Sequence, residues 1–165
     1  MSDANRPSIY LETTIFGYLA MRPSKLLRVA ANQESTRDWW DNHRHRYEPF
    51  VSQYVVDECL DGDPIAAQER AVFLDKIPLL KTNNDGIVLA QSLIDNVPIP
   101  PKAALDAYHI SVAAVHGIEY LMTWNCKHIA NALLRSKIVS LCRQAGFECP
   151  IICTPQEILE INDVI

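Results

Sequence analysis

Glycine is scarce in this sequence, at only 5 of 165 residues. The glycine-rich signatures G-x-x-x-x-G-K-[ST] and G-x-G-x-x-G are both absent, and so is the serine elbow G-x-S-x-G. These absences argue against P-loop enzymes, dinucleotide-binding enzymes and hydrolases that use a serine elbow.

Long apolar runs are also missing. No run approaches the roughly 20 residues that a membrane-spanning helix needs, and the first residues, MSDANRPS, lack the basic-then-apolar order of a secretory signal. We therefore expect a cytoplasmic protein with no membrane partner.

Basic residues are outnumbered, with 15 Lys and Arg against 20 Asp and Glu, which gives a formal charge of −5. This balance argues against a protein that holds nucleic acid on a general phosphate-neutralising surface. It does not argue against an acidic metal site, because bound cations reverse the local charge for a phosphate substrate.

Cysteine is present in an odd number, and no two cysteines form a C-x-x-C pair of zinc-site spacing. Buried free thiols explain this pattern better than disulfides or a metal site, although both alternatives stay open. The five residues are Cys59, Cys126, Cys142, Cys149 and Cys153.

The composition, 48% apolar and 21% charged, is that of an ordinary globular domain. We predict one domain over residues 1–165, with a loose leader at residues 1–7. Strand and helix patterns alternate along the chain, which predicts an α/β fold with a short, mainly parallel sheet between two helical layers. The predicted strands are residues 8–11, 50–52, 79–81, 118–122 and 151–153.

Residues 102–131 form a helix, a short buried strand and a polar loop in succession. Asp106 lies in the first turns of the helix, where it either interacts with the helix dipole, pairs with another group or binds a metal. His109 follows one turn later, as a packed histidine or as a group that orients the carboxylate or contacts a substrate phosphate. Asn125 follows the strand, at the edge where open α/β sheets place their sites.

Two more acids occupy comparable places. Glu12 follows the first strand, and Thr13 or Thr14 can cap the helix that begins there. Glu58 lies at the border of the apolar face of a helix that follows the second strand.

Residues 22–47 suggest an exposed helix, with an N-cap at Ser35 or Thr36 and a basic cluster at its end. The cluster is either a solvated helix end or a contact for RNA or a partner protein. Arg44 and Arg46 are its candidates for such a contact, together with Lys127 in the later loop. The acidic surface and this region also suggest a homodimer.

Four segments occur in the order IYLETTIFGYL, SQYVVDEC, ALDAYHISVAAVHGIEYLMTWNCKHIAN and PIICTPQEIL. Together they resemble the PIN-domain family, and most closely the VapC-like toxins of bacterial toxin-antitoxin pairs. The resemblance spans nearly the whole chain. It implies a three-layer α/β/α sandwich that binds Mg²⁺ or Mn²⁺, cleaves RNA as an endoribonuclease and is covered by an antitoxin.

The resemblance also implies roles for individual residues. The catalytic and metal-binding acids are Glu12, Glu58 and Asp106. Thr13, Thr14 and Thr123 match the hydroxyl-bearing positions that support those acids.

Two departures from the family pattern limit what it implies. Asn125 stands where family members commonly have a fourth, aspartate ligand, and Glu12 stands where they usually have their first aspartate. His128 also lies where some members have an acid. Three carboxylates suit a single ion better than a tight two-metal site. The other interpretation is a PIN-fold binding or regulatory module with little catalysis.

Overall fold

The computed structural model describes residues 5–164, with side chains described as far as Glu160. Its five strands form one sheet in which every neighbouring pair is parallel, in the order β3-β2-β1-β4-β5. The strands are β1 Ser8–Leu11, β2 Glu48–Ser52, β3 Leu79–Leu80, β4 Tyr120–Met122 and β5 Ile151–Cys153.

Helices cover the chain between the strands. Within the described residues there are eight α-helices, with a π-helical turn and a 3-10 turn after α2 and another 3-10 turn before α6. The helices are α1 Thr13–Ala20, α2 Leu27–Asp38, α3 Gln53–Leu60, α4 Pro64–Leu74, α5 Asn84–Asn96, α6 Ala104–Val115, α7 Ala132–Gln144 and α8 Pro155–Val164.

The strand order assigns the helices to two layers. The crossovers from β1 to β2 and from β2 to β3 run in one direction across the sheet, and those from β3 to β4 and from β4 to β5 run in the other. Because such crossovers are right-handed, α1 to α4 lie on one face and α5 to α7 on the other. Helix α4 packs on α1 and α3, and α5 packs on α6 and α7. The predicted α/β/α sandwich is therefore confirmed.

One hydrophobic core fills the space between the sheet and both helical layers. Its largest fully buried side chains include Trp39, Tyr10 and Phe16. Such burial contributes on the order of 2 kcal/mol for each large apolar side chain. The carboxyl ends of the strands are thereby held in one rigid frame.

The prediction for residues 22–47 is wrong in two respects. Helix α2 begins at Leu27, so Ser35 and Thr36 lie inside it and do not cap it; Thr36 is fully buried and donates from Oγ1 to the Asn32 carbonyl at 2.6 Å. Trp39 is also fully buried, which shows that this segment packs against the core. The local sequence is polar enough to hide that tertiary contact.

The predicted loose leader extends beyond the described residues, since residues 1–4 lie outside them. The part that is described makes tertiary contacts. Arg6 donates to the His45 carbonyl at 3.2 Å, and the Glu48 amide donates to the Pro7 carbonyl at 3.0 Å.

None of the described helices is both long and apolar enough to cross a membrane. All five cysteines are free thiols, as predicted. The prediction that they are buried holds for Cys59, Cys142 and Cys153, whereas Cys149 is half-buried and Cys126 is exposed.

Candidate acidic site at the carboxyl edge of the sheet

Four acidic residues line one cavity of about 460 Å³: the three predicted acids, which come from separate segments, and Asp61, which directly follows α3. Glu12 directly follows β1, and Glu58 lies in α3, which starts where β2 ends. Asp106 lies in the first turn of α6. The carboxyl ends of parallel strands share one edge of a sheet, which is why these three segments meet there. Asn125, which follows β4, lines the same cavity.

Hydrogen-bond donors from the segments that follow β1 and β4 hold the Glu12 carboxylate. Its side chain is only 3% exposed, and its Oε2 accepts hydrogen bonds from the Thr14 amide at 3.1 Å, the Thr14 hydroxyl at 2.5 Å and the Thr123 hydroxyl at 2.7 Å. Thr14 and Thr123 are in turn fixed as acceptors for the Trp124 and Asn125 amides. Glu12 therefore joins the first and fourth strands at the site.

The helix cap at this junction differs from the prediction. Glu12 itself is the N-cap of α1, because its carboxylate accepts from the Thr14 amide. Neither Thr13 nor Thr14 caps the helix. Thr13 donates its hydroxyl to Glu58 Oε1 at 2.7 Å, so both threonines position carboxylates of the site.

Glu58 is paired with a buried histidine. His109 is fully buried, and its Nε2 lies 2.6 Å from Glu58 Oε1. The other ring nitrogen, Nδ1, lies 2.7 Å from the Tyr10 hydroxyl, which is 2.7 Å from the Ser52 hydroxyl. A chain of hydrogen bonds thus runs from the cavity into the core.

Within this chain of hydrogen bonds, the charges of His109 and Glu58 shift each other's pKa. Burial alone would lower the pKa of His109, but the hydrogen bond to Glu58 and the negative charges of Glu12, Glu58 and Asp106 raise it. Burial alone would raise the pKa of Glu58, yet its hydrogen bonds with His109 and Thr13 and the charge of His109 lower it. Burial also raises the pKa of Tyr10 far above its ordinary value. A protonated His109 donates to both Glu58 and Tyr10, and neutral Tyr10 then donates to Ser52.

The ion pair of Glu58 with His109 predicts that the stability of the metal-free protein depends on pH. His109 has a raised pKa when folded, so its contribution is complete below about pH 6.5 and is lost as the pH rises through that raised value. Glu58 has a lowered pKa when folded, so its contribution is complete above about pH 4.3 and is lost as the pH falls through that lowered value. Urea unfolding in EDTA at about pH 5.5 and about pH 9 should show a larger difference between the native chain and His109→Leu at the lower pH. An equal difference at both values would contradict the charged pair.

Asp106 is paired with a second histidine. His128 Nδ1 lies 2.8 Å from Asp106 Oδ2. The Asn125 side-chain oxygen accepts from the His128 amide at 3.1 Å, and the Asn125 carbonyl accepts from the Ile129 and Ala130 amides. Asn125 therefore shapes the loop that carries His128 to Asp106.

The donor set of the cavity suits a hard divalent cation. Each carboxylate uses one oxygen for the contacts above, and the second oxygen makes no hydrogen bond to any described residue; these are Glu12 Oε1, Glu58 Oε2 and Asp106 Oδ1. No group of three described His, Cys, Asp or Glu side chains is arranged to hold a metal ion by itself. The residues therefore fit Mg²⁺ or Mn²⁺ held by one or two carboxylates, with water as the other ligands.

Several predicted contact residues lie away from this cavity. Arg44, Arg46 and Lys127 are not among its lining residues. Arg44 instead lies over the Trp40 ring, with 4.1 Å between the guanidinium carbon and the ring centroid. The basic residue at the cavity is Arg70, which is held by the Cys59 and Asp61 carbonyls at 2.8 and 2.7 Å.

Sequence reasoning did not find Arg70, Tyr10 or Ser52. Arg70 lies within an ordinary amphipathic helix, and no local pattern distinguishes it. Ser52 offered a weak signal, because it is a polar residue at the carboxyl end of a buried strand. Tyr10 offered none, since tyrosine is common in strands.

No protein-family model matches this sequence, and a search of curated proteins found no match.

Proposed function

We propose that this chain is a Mg²⁺- or Mn²⁺-dependent endoribonuclease that hydrolyses RNA phosphodiester bonds at the cavity between Glu12, Glu58 and Asp106. The observation that supports it most is the convergence of these three acids, from distant parts of the sequence, on one cavity. A bound divalent ion would lower the pKa of a coordinated water and neutralise charge on the phosphate. The resemblance to the PIN-domain family supports the choice of RNA as substrate.

The residues around the acids give the site its rigidity. The hydroxyls of Thr13, Thr14 and Thr123 and the rings of His109 and His128 each fix one carboxylate oxygen. Such partners orient ligand oxygens, and their loss typically costs about 10- to 100-fold in metal affinity or activity.

Arg70 adds a cation at the same cavity. Two of its nitrogens are fixed by backbone carbonyls, so the guanidinium has a defined position and keeps its positive charge. It would attract a phosphate to a cavity that is otherwise acidic.

The biological setting is a further part of the proposal and rests on the resemblance. We propose a toxin of a toxin-antitoxin pair that acts in the cytoplasm as a homodimer and is inhibited by an antitoxin protein. Sedimentation at tens of micromolar tests the proposed homodimer, which a result of monomer alone would contradict. Purification from the native host without any small protein partner would contradict the proposal of an antitoxin.

A second candidate is a binding or regulatory module of the same fold with little catalysis. The pair of Glu58 with His109 favours it, because a protonated His109 neutralises negative charge that would otherwise attract a metal. A metal would bind more weakly to a site whose charge is already partly neutralised.

Calorimetry with Mn²⁺ separates the two candidates. The native chain should release or absorb heat on binding, and Asp106→Asn should lose that signal together with RNA cleavage. Asp57→Asn is the matched control, because Asp57 is an exposed acid that lies next to Glu58 in α3. No heat from the native chain at millimolar Mn²⁺ would favour the binding module.

Asn125→Asp should increase the stabilisation that metal provides. The new carboxylate adds attraction for a divalent ion but repels the other acids when no metal is present, so the apo variant should be less stable than the native chain. Thermal melts with and without Mn²⁺ should therefore show a larger metal-induced shift in the variant. Equal shifts in the two proteins would place Asn125 outside the metal site.

A further inference from the structure

A second cavity, of about 650 Å³, lies at the opposite edge of the sheet from the three acids. It is lined by residues that precede or begin β1, β2 and β3, among them Arg6, Pro49 and Ile77. Since all strands are parallel, this is the amino edge. Its volume lies within the range of small-molecule sites, about 300 to 1,000 Å³.

The cavity combines apolar and cationic walls. Trp40 and Phe73 line it as an aromatic pair with 5.5 Å between ring centroids. Arg6, Arg44 and Lys76 also line it. Asp75 and His45 line the same cavity.

Two of these cations have no counter-ion. Among the described residues, the side chains of Arg44 and Lys76 form no ion pair and no hydrogen bond, and Asp75, which lines the same cavity, pairs with neither; the Arg44 guanidinium lies over the Trp40 ring, 4.1 Å from its centroid. Arg6 is 3.9 Å from Glu48, an exposed pair of low strength. Arg44 and Lys76 therefore present positive charge that an anion can satisfy.

The backbone of Lys76 gives an independent reason to assign its side chain a role. Residues 74–77 form a tight turn in which the Ile77 amide donates to the Leu74 carbonyl at 3.2 Å. Asp75 has φ −56° and ψ 132°, and Lys76 has φ 62°, the pattern of a type II turn. Glycine is the favoured residue at that position, and Lys76 is the one described residue other than glycine with a positive φ. Lysine is thus present where the backbone alone would favour glycine.

We propose that this cavity binds a nucleoside phosphate, with the base against Phe73 and the phosphate between Arg44 and Lys76. Phe73 accounts for a base, because bases stack on aromatic rings, whereas Arg44 already lies over the Trp40 ring. The unpaired cations account for the phosphate, and the volume exceeds what inorganic phosphate alone would fill. The site is separate from the acidic cavity and does not depend on its proposed activity.

The test is calorimetry of the metal-free protein in EDTA with adenosine monophosphate. We expect binding that is at least tenfold tighter than that of adenosine or of inorganic phosphate. Equal binding of inorganic phosphate, equal binding of adenosine, or no binding of the nucleotide at millimolar concentration would overturn the proposal.

Lys76→Gly separates a binding role from a structural one. We expect this variant to bind the nucleotide at least tenfold more weakly while its melting temperature stays equal or rises, because glycine relieves the backbone. Lys25→Gly, at an exposed loop position, removes the same charge elsewhere and should leave binding unchanged. Native affinity in Lys76→Gly would overturn the assignment.

A 5′-phosphorylated oligoadenylate identifies the source of the ligand. Tighter binding of the oligonucleotide than of the mononucleotide would assign the cavity to an RNA end. Equal or weaker binding would assign it to a free nucleotide. Both results support recognition of a nucleoside phosphate.

Discussion

Replacing His109 by leucine is expected to lower the free energy of unfolding at about pH 5.5 by about 2–3 kcal/mol. Leucine keeps an apolar side chain in the core but leaves Glu58 without its cation and Tyr10 without one of its two hydrogen-bond partners. Glu58 keeps 31% of its side chain exposed to solvent, which limits the cost of the unpaired charge. Urea unfolding measures the loss directly. For a domain of ordinary stability, about 5–15 kcal/mol, this loss is large without preventing folding.

A double-mutant cycle shows whether the pair is the cause. Adding Glu58→Gln to His109→Leu removes the unpaired charge, so the double variant should recover part of the lost stability. Simple addition of the two single effects would mean that His109 acts through packing and not through Glu58. Tyr10→Phe provides a smaller reference change, of about 1 kcal/mol, at the inner end of the same hydrogen-bond chain.

The fold could be predicted from the sequence to a large extent because its signals are local. Apolar runs predict the strands. Asp63 before Pro64 is the pattern of a helix start, and the structure shows one there, with Asp63 accepting from the Ala66 amide at 2.9 Å. Gly117 is a typical residue for a helix end, and it follows α6 with a φ of 67°. Each of these features depends on a few neighbouring residues.

The failures in the fold arise from tertiary contacts. The spacing of Leu105, Tyr108, Val112 and Val115 predicts one apolar stripe along α6. In the structure Leu105 is 40% exposed, and most of the helix circumference beyond Ala107 is buried. The cause is that α6 packs against α5 and α3 as well as the sheet, so periodicity no longer separates an inner from an outer face. The polar sequence of α2 hid the burial of Thr36 for the same reason.

The acids of the candidate site could be predicted from the sequence, but the pairing of histidines with them could not. Glu12 and Asn125 directly follow strands, so a sheet edge was expected to bring them together. The pairing of Glu58 with His109 and of Asp106 with His128 joins residues that are far apart along the chain, and no spacing rule encodes it. Which carboxylate each histidine contacts depends on how α3, α6 and the loop after β4 pack against one another.

The two cavities lie at opposite edges of the sheet and differ in the charge of the residues that line them. The acids lie at the carboxyl edge, and unpaired cations lie at the amino edge. Under the functions proposed for the two cavities, EDTA acts at the acidic one and a nucleotide at the basic one, so the two should act separately.

Glu12 is expected to give the other large effect, because its substitution can separate structural support from metal binding. Glu12→Ala removes an acceptor of three hydrogen bonds and the N-cap of α1, and should lower the free energy of unfolding by about 3 kcal/mol. Glu12→Gln retains an oxygen for Thr14 and Thr123 and should cost only about 1 kcal/mol. Both variants lack the charge that a divalent ion requires.

The measurement is thermal unfolding of the native chain and both variants, with EDTA and then with Mn²⁺. Without metal, Glu12→Gln should melt close to the native chain and Glu12→Ala well below it. If Glu12 is a metal ligand, as proposed, neither variant should gain with Mn²⁺ the stabilisation that the native chain gains, because a neutral amide then replaces a carboxylate and alanine supplies no ligand at all. A full metal-induced shift in Glu12→Gln would show that Glu12 only joins β1 to β4 through its threonine partners, and would leave Glu58 and Asp106 as the acids that bind the ion.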